Sequence, residues 1–194
     1  MGWQKFLGMP PAPAGAAPAT GGPTADDAAD TETVRRIVNR LEAMPRDRAR
    51  FLAAFAYILT RAAAADMEIS EAEEQAIERL VAEHGSLPES HAVLVAQMAR
   101  SQSLLYGGTE DYLVTRQFKT LSTDEDRLAL LRCCYLVGAA DDEISVDESD
   151  TLQEIAKELD VPREAINAIR NEFASKLSTI KALLRFRAGD AERG

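Results

Sequence analysis

Two short acidic runs hold the residues best suited to chemistry in this sequence. The first is Ala65-Asp66-Met67-Glu68-Ile69-Ser70 followed by Glu73; the second is Ala140-Asp141-Asp142-Glu143-Ile144-Ser145 followed by Glu148. A shift of 75 residues lays Asp66 on Asp141 and keeps the later apolar positions in phase, Ile77 with Leu152 and Leu80 with Ile155. The carboxylate spacing follows the second half of an EF-hand calcium loop. Asp66 and Asp141 fall on its fifth position, Glu68 and Glu143 on the seventh, Ser70 and Ser145 on the ninth, Glu73 and Glu148 on the twelfth. Positions one and three are Ala62 and Ala64 in one copy, Val137 and Ala139 in the other, and none of these ligates. Each turn is therefore half a calcium loop. It offers about two carboxylates and a carbonyl to an ion that takes roughly six to eight oxygens. The glycine of the sixth position is replaced by Met67 and by Asp142. Aspartate tolerates a left-handed backbone better than methionine does. The second turn, with Asp141, Asp142, Glu143, Asp147, Glu148 and Asp150 close together, is thus the expected ion site, and calcium the expected ion.

The same residues also admit a purely structural reading. Ser70-x-x-Glu73 and Ser145-x-x-Glu148 are capping boxes, in which serine and glutamate satisfy each other's backbone N–H groups at a helix start. Ile69 and Ile144 anchor the turn just before the cap. Asp66 and Asp141 are not explained this way: they stand at the end of the preceding helix, where an acid opposes the dipole. A residue that breaks a local rule is a candidate for function. Both readings, divalent-cation site and structural cap, stand at this level.

The elements that position these turns are helices. Apolar residues recur at three and four positions through Val34, Ile37, Val38 and Leu41, then through Phe51, Leu52, Phe55, Ile58 and Leu59. Met44-Pro45 separates these two helices. A third begins at Glu71 and is expected to stop at Gly85. A fourth follows Pro88 and runs through Leu105. Thr109 is expected to cap a short fifth helix and Ser122 or Thr123 a sixth. After the second acidic turn one helix carries Leu152, Ile155 and Leu159. The last opens at Val161-Pro162 and runs through Ile166, Ile169, Phe173, Leu177, Ile180 and Leu183. No stretch alternates with period two. The prediction is an all-α compact array of seven to eight helices, built from two pseudo-symmetric helix–turn–helix units. Residues 1–30, rich in Pro, Ala and Gly, read as a flexible tail, 31–186 as the helical domain and 187–194 as a C-terminal tail.

Composition narrows the function classes. Of 194 residues, 32 are acidic and 22 basic, a formal charge of −10, so phosphate backbones are repelled and nucleic acid is not an expected partner. Cations and basic protein faces are attracted. Cys133-Cys134 is too small a set for a disulfide framework and reads as two small apolar residues. No apolar run reaches the ~18 residues of a membrane span, and the start, with Trp3, Phe6 and Leu7, does not resemble a signal peptide. A cytoplasmic location is expected. His84 and His91 lack metal-ligand spacing, Gly107-Gly108 is not a phosphate loop, and no Cys–His pairing is legible. No enzyme is expected. A protein partner is, met by the acidic turns or by the basic, apolar end that holds Lys181, Leu183, Leu184, Arg185, Phe186 and Arg187, which also admits peripheral membrane contact.

The doubled Ala-Asp-x-Glu-Ile-Ser-x-x-Glu turn resembles the TerB-like family of bacterial tellurite-resistance proteins, over about residues 32–175. Leu105-Tyr106-Gly107-Gly108-Thr109-Glu110-Asp111-Tyr112-Leu113 is similar to a stretch in uncharacterised bacterial members. The resemblance implies an all-helical fold of two related units, divalent-cation binding by the acidic turns, and a non-catalytic role in stress or tellurite resistance. It also implies a scaffold or co-chaperone alternative, since a similar domain occurs fused to a J-domain. The family turn usually reads Ala-Asp-Gly; both copies here lack that glycine.

Overall fold

In a computed structural model, residues 43–191 are described, with side chains through Phe186. The expected N-terminal tail and the helix through Val34, Ile37, Val38 and Leu41 lie outside the described residues. From Asp47 onward the chain forms one compact unit. Its helices are α1 (Arg46–Ala63), α2 (Glu71–Gly85), α3 (Glu89–Tyr106), α4 (Asp111–Leu121), α5 (Asp124–Gly138), α6 (Val146–Glu158), α7 (Arg163–Glu172) and α8 (Ser178–Ala191). Among the described residues there is no strand beyond one isolated bridge between Ile144 and Leu177. The all-α architecture is as the periodicity requires.

Helix α5 is central. Its Leu130, Leu131, Cys134, Tyr135 and Val137 are fully buried, and it packs against α2, α6 and α7. Helix α1 is buried along nearly its whole second half, where alanines at 54, 56, 62 and 63 flank the large side chains of Phe55, Tyr57, Ile58, Leu59 and Arg61. Phe51 and Phe55 of α1 meet Phe118 of α4, with the Phe51 and Phe118 ring centroids 4.9 Å apart. Such pairs add about 1 kcal/mol beyond the area they bury.

Three local expectations change. Gly85 is not the left-handed residue that ends α2; it is the last helical residue, and Ser86 takes φ 50°. Gly85 is small for a different reason, since a Cβ there would meet Leu52 and Leu87 at 3.1 and 3.0 Å. Thr109 does not cap α4. Its hydroxyl donates back to the Tyr106 carbonyl at 3.0 Å, and Asp111 instead accepts from the Gly108 N–H at 2.9 Å. The long last helix is broken: α7 stops at Glu172, Leu177 is extended (φ −64°, ψ 123°), and α8 restarts at Ser178. No proline or glycine marks that break. It is held by tertiary hydrogen bonds, Ile144 N–H to the Lys176 carbonyl at 2.8 Å and Ser178 N–H to the Ile144 carbonyl at 2.9 Å.

One buried charge ties the helices together. Arg61, 8 % exposed in the apolar α1, pairs with Glu158 of α6 at 2.7 Å and with Asp111 of α4 at 3.6 Å. Tyr57 donates its hydroxyl to Asp111 at 2.9 Å. Deleting one partner of a buried pair strands the others without a counter-charge, which costs more than the pair itself contributes. Arg61→Leu is therefore expected to lower the unfolding free energy by about 3 kcal/mol, measured by urea titration; a loss within experimental error would show that the pair is solvent-screened.

Candidate functional site

The two acidic turns have the same local construction. Each ends its helix, passes through one left-handed residue and starts the next helix from a serine. Met67 has φ 69° and Asp142 has φ 77°. The sixth-position conformation of a calcium loop is thus kept without its glycine, and Met67 adopts it with its side chain 90 % exposed. The aspartates before it have a structural role that the helix-dipole argument missed. Asp66 Oδ1 accepts from the Glu68 N–H at 3.1 Å, and Asp141 Oδ1 accepts from the Glu143 N–H at 3.1 Å. These are Asx turns, which fold the backbone around a short carboxylate side chain.

Both predicted capping boxes are closed. The Ser70 N–H donates to Glu73 at 2.8 Å and the Glu73 N–H to Ser70 Oγ at 3.3 Å; in the second copy the distances are 2.7 and 3.1 Å. Each glutamate is buried, Glu73 to 4 % and Glu148 to 5 % exposure. Glu148 lies against α5 where Gly138 leaves room: a Cβ at 138 would stand 3.3 Å from its carboxyl oxygen. The two glutamates, one from each repeat, lie close enough in the interior for each to disfavour the other's charged form. Burial pushes Glu148 up to about 7, and the neighbouring Glu73 adds to the rise against the lowering effect of Ser145.

The second turn is already occupied by cations from the chain itself. Lys176 pairs with Asp142, and Lys181 donates to the Asp142 carbonyl at 2.5 Å and reaches Glu143 at 3.3 Å. The Lys176 ammonium, aided by Lys181, holds the Asp142 carboxyl below the usual carboxylate range. The first turn has no ammonium against Asp66 or Glu68 among the described residues, and both side chains are exposed. The predicted set of Asp66, Glu68, Ser70, Glu73, Asp141, Asp142, Glu143, Ser145 and Glu148 thus divides. Ser70, Glu73, Ser145 and Glu148 are drawn into caps, Asp66 and Asp141 into turns, and Asp142 and Glu143 onto lysines. Among the described residues no three His, Cys, Asp or Glu side chains converge as a metal cage. The donor set does not fit a calcium loop, whose twelfth-position glutamate must point at the ion.

A Cys–His contact that the sequence did not reveal joins α2 to α5. His84 Nε2 lies 3.4 Å from Cys133 Sγ, with the His84 ring 4.8 Å from Phe55. The residues between them carry no motif that signals it. Burial pushes the Cys133 thiol up to about 11, so it is the neutral thiol, a poor nucleophile and a poor metal ligand.

The raised Glu148 makes stability depend on pH. Glu148 binds its proton more tightly folded than unfolded, so its contribution is complete below the ordinary glutamate value and is lost as pH rises through about 7. Asp142, Asp160 and Glu172 run the other way, held low by Lys176, Lys119 and Arg132, and their contributions fade only in acid. The melting temperature is expected to fall between pH 5 and pH 8. Glu148→Gln, which keeps a neutral donor beside Glu73, is expected to flatten that fall and to be the more stable protein at pH 8. A wild-type melting temperature that rises over this window would contradict a proton held on Glu148.

The family described as tellurite resistance protein TerB matches residues 51–171, which takes in both acidic turns and all of α2 through α6. No curated protein and no solved structure matches the chain.

Proposed function

This chain belongs to the TerB family, and from that premise we propose that it is a non-catalytic interaction module of a cytoplasmic stress or tellurite-resistance system. Its acidic turns are, in this reading, first of all structural devices. The observation that carries it is the inward turn of Glu73 and Glu148: the residue that would grip a cation in each half-loop closes a helix cap and faces its counterpart in the interior. Exposed apolar side chains support a docking role. Leu104, Leu105, Tyr106, Tyr112 and Leu113, around the turn between α3 and α4, are each at least half exposed, a density that marks contact surfaces. No helix among the described residues is long and apolar enough to cross a membrane.

The divalent-cation reading keeps one supporting observation, the exposed Asp66 and Glu68 carboxylates of the first turn. Two or three oxygens there suit a weak, largely hydrated ion. Calorimetry with calcium, magnesium, manganese and zinc separates the readings. The interaction reading expects no heat up to about millimolar ion, the weak end of protein calcium sites, and no change of melting temperature in chelator. A saturable heat that disappears in Asp66→Ala, Glu68→Ala would overturn it in favour of the cation site.

A further inference from the structure

The two acidic turns differ in what lies on them, and the difference exposes an unfilled site. On the second turn the segment Lys176-Leu177-Ser178, with Leu177 extended between a 3-10 turn and the start of α8, lies along Ile144. It exchanges two backbone hydrogen bonds with that residue, as an added β-strand would. Leu177 and Ile144 are buried together, at 2 % and 0 % exposure. One helical turn further on, Lys181 crosses to the Asp142 carbonyl and the Glu143 carboxylate.

The first turn offers the same features, and among the described residues no segment pairs with its backbone. Its left-handed residue, Asx turn and capping box reproduce those of the second. Yet the Ile69 N–H and carbonyl, counterparts of the Ile144 pair, have no backbone partner among the described residues. Ile69 is only half-buried and lines a small cleft with Thr60, Ile77 and Ala96, rimmed by Glu74, Gln97 and Arg100. The cause lies in α3. Its counterpart α7 breaks and lets the chain return to the turn, whereas α3 runs unbroken to Tyr106. Gln97 and Arg100 hold α3 against α2 by bonds to Glu74 at 2.6 and 2.8 Å.

We infer that the first acidic turn is a docking site for an extended basic segment of a partner protein, which pairs with Ile69 as Leu177 pairs with Ile144. The inference rests on the interaction-module reading and names the partner's chemistry. An apolar residue of the segment fills the cleft beside Ile69, and a lysine four positions later reaches the Met67 carbonyl and Glu68. At the place of Asp142 stands the exposed Met67, so the residue before the apolar anchor is itself apolar, where the chain's own segment has Lys176. The negative turn steers such a segment in, and its edge backbone holds it.

The probe is a synthetic peptide of residues 174–183 added to the full chain, with amide chemical shifts followed by NMR. The expected result is movement of the Ile69, Glu68 and Met67 amides. A Lys176→Met peptide is expected to bind more tightly and a Lys181→Glu peptide to weaken by about tenfold or more, the scale of losing one close charge pair. A Glu68→Lys chain is expected to show the same loss, and being a change at an exposed position it leaves the fold intact. Absence of binding, binding indifferent to Lys181 or Glu68, or shifts confined to Ile144 would each overturn the site. Shifts confined to Leu104–Leu113 would overturn it too, while leaving the interaction-module reading standing. The metal titrations described above decide that reading separately.

Discussion

The carboxyl pair of Glu73 and Glu148 is the constraint on which the site depends. Each glutamate starts its own helix by holding a serine N–H, and each is also the other's neighbour across the two repeats. A capping box at a protein surface stabilises one helix end by about 1 kcal/mol. Buried near each other, the two boxes also bring one carboxyl from each repeat into the same interior. Neither glutamate is free to swing outward without opening a cap and leaving backbone donors unsatisfied in the interior. This is why acidic turns that resemble calcium loops in sequence do not present a calcium loop's geometry.

A second consequence follows for the lysines. With the glutamates inside, the outward groups of the second turn are Asp142, Glu143 and the Asp142 carbonyl, and Lys176 and Lys181 neutralise them. The extended residue between these lysines is what ends α7 and begins α8. The acidic turn therefore organises the C-terminal part of the unit, and does so from the chain's own charges.

Local chemistry was legible in the sequence, and long-range chemistry was not. The capping boxes at Ser70 and Ser145, the cap at Thr123 and most helix limits follow from residues within one turn of each other. Asp66 and Asp141 oppose the helix dipole, yet each stands two residues before the N–H that it bonds, that of Glu68 or Glu143. That signal was present. No comparable signal announces the break at Phe173–Leu177, where Phe173, Leu177 and Ile180 stay in helical phase; the break is imposed by Ile144 from another part of the chain. The Arg61 cluster and the His84–Cys133 contact are likewise tertiary. Arg61, the one charged residue in the apolar, alanine-rich second half of α1, is the hint the sequence holds of the first.

The proton held on Glu148 also alters how the molecule meets its solvent. The formal charge of −10 counts every carboxylate as ionised. Below about pH 7 the folded chain keeps a proton on Glu148 that the unfolded chain gives up. Unfolding near neutrality is then also an acid-releasing reaction. The heat it absorbs includes the buffer's heat of taking up that proton, so the apparent enthalpy differs between phosphate and Tris although the protein's own transition is the same.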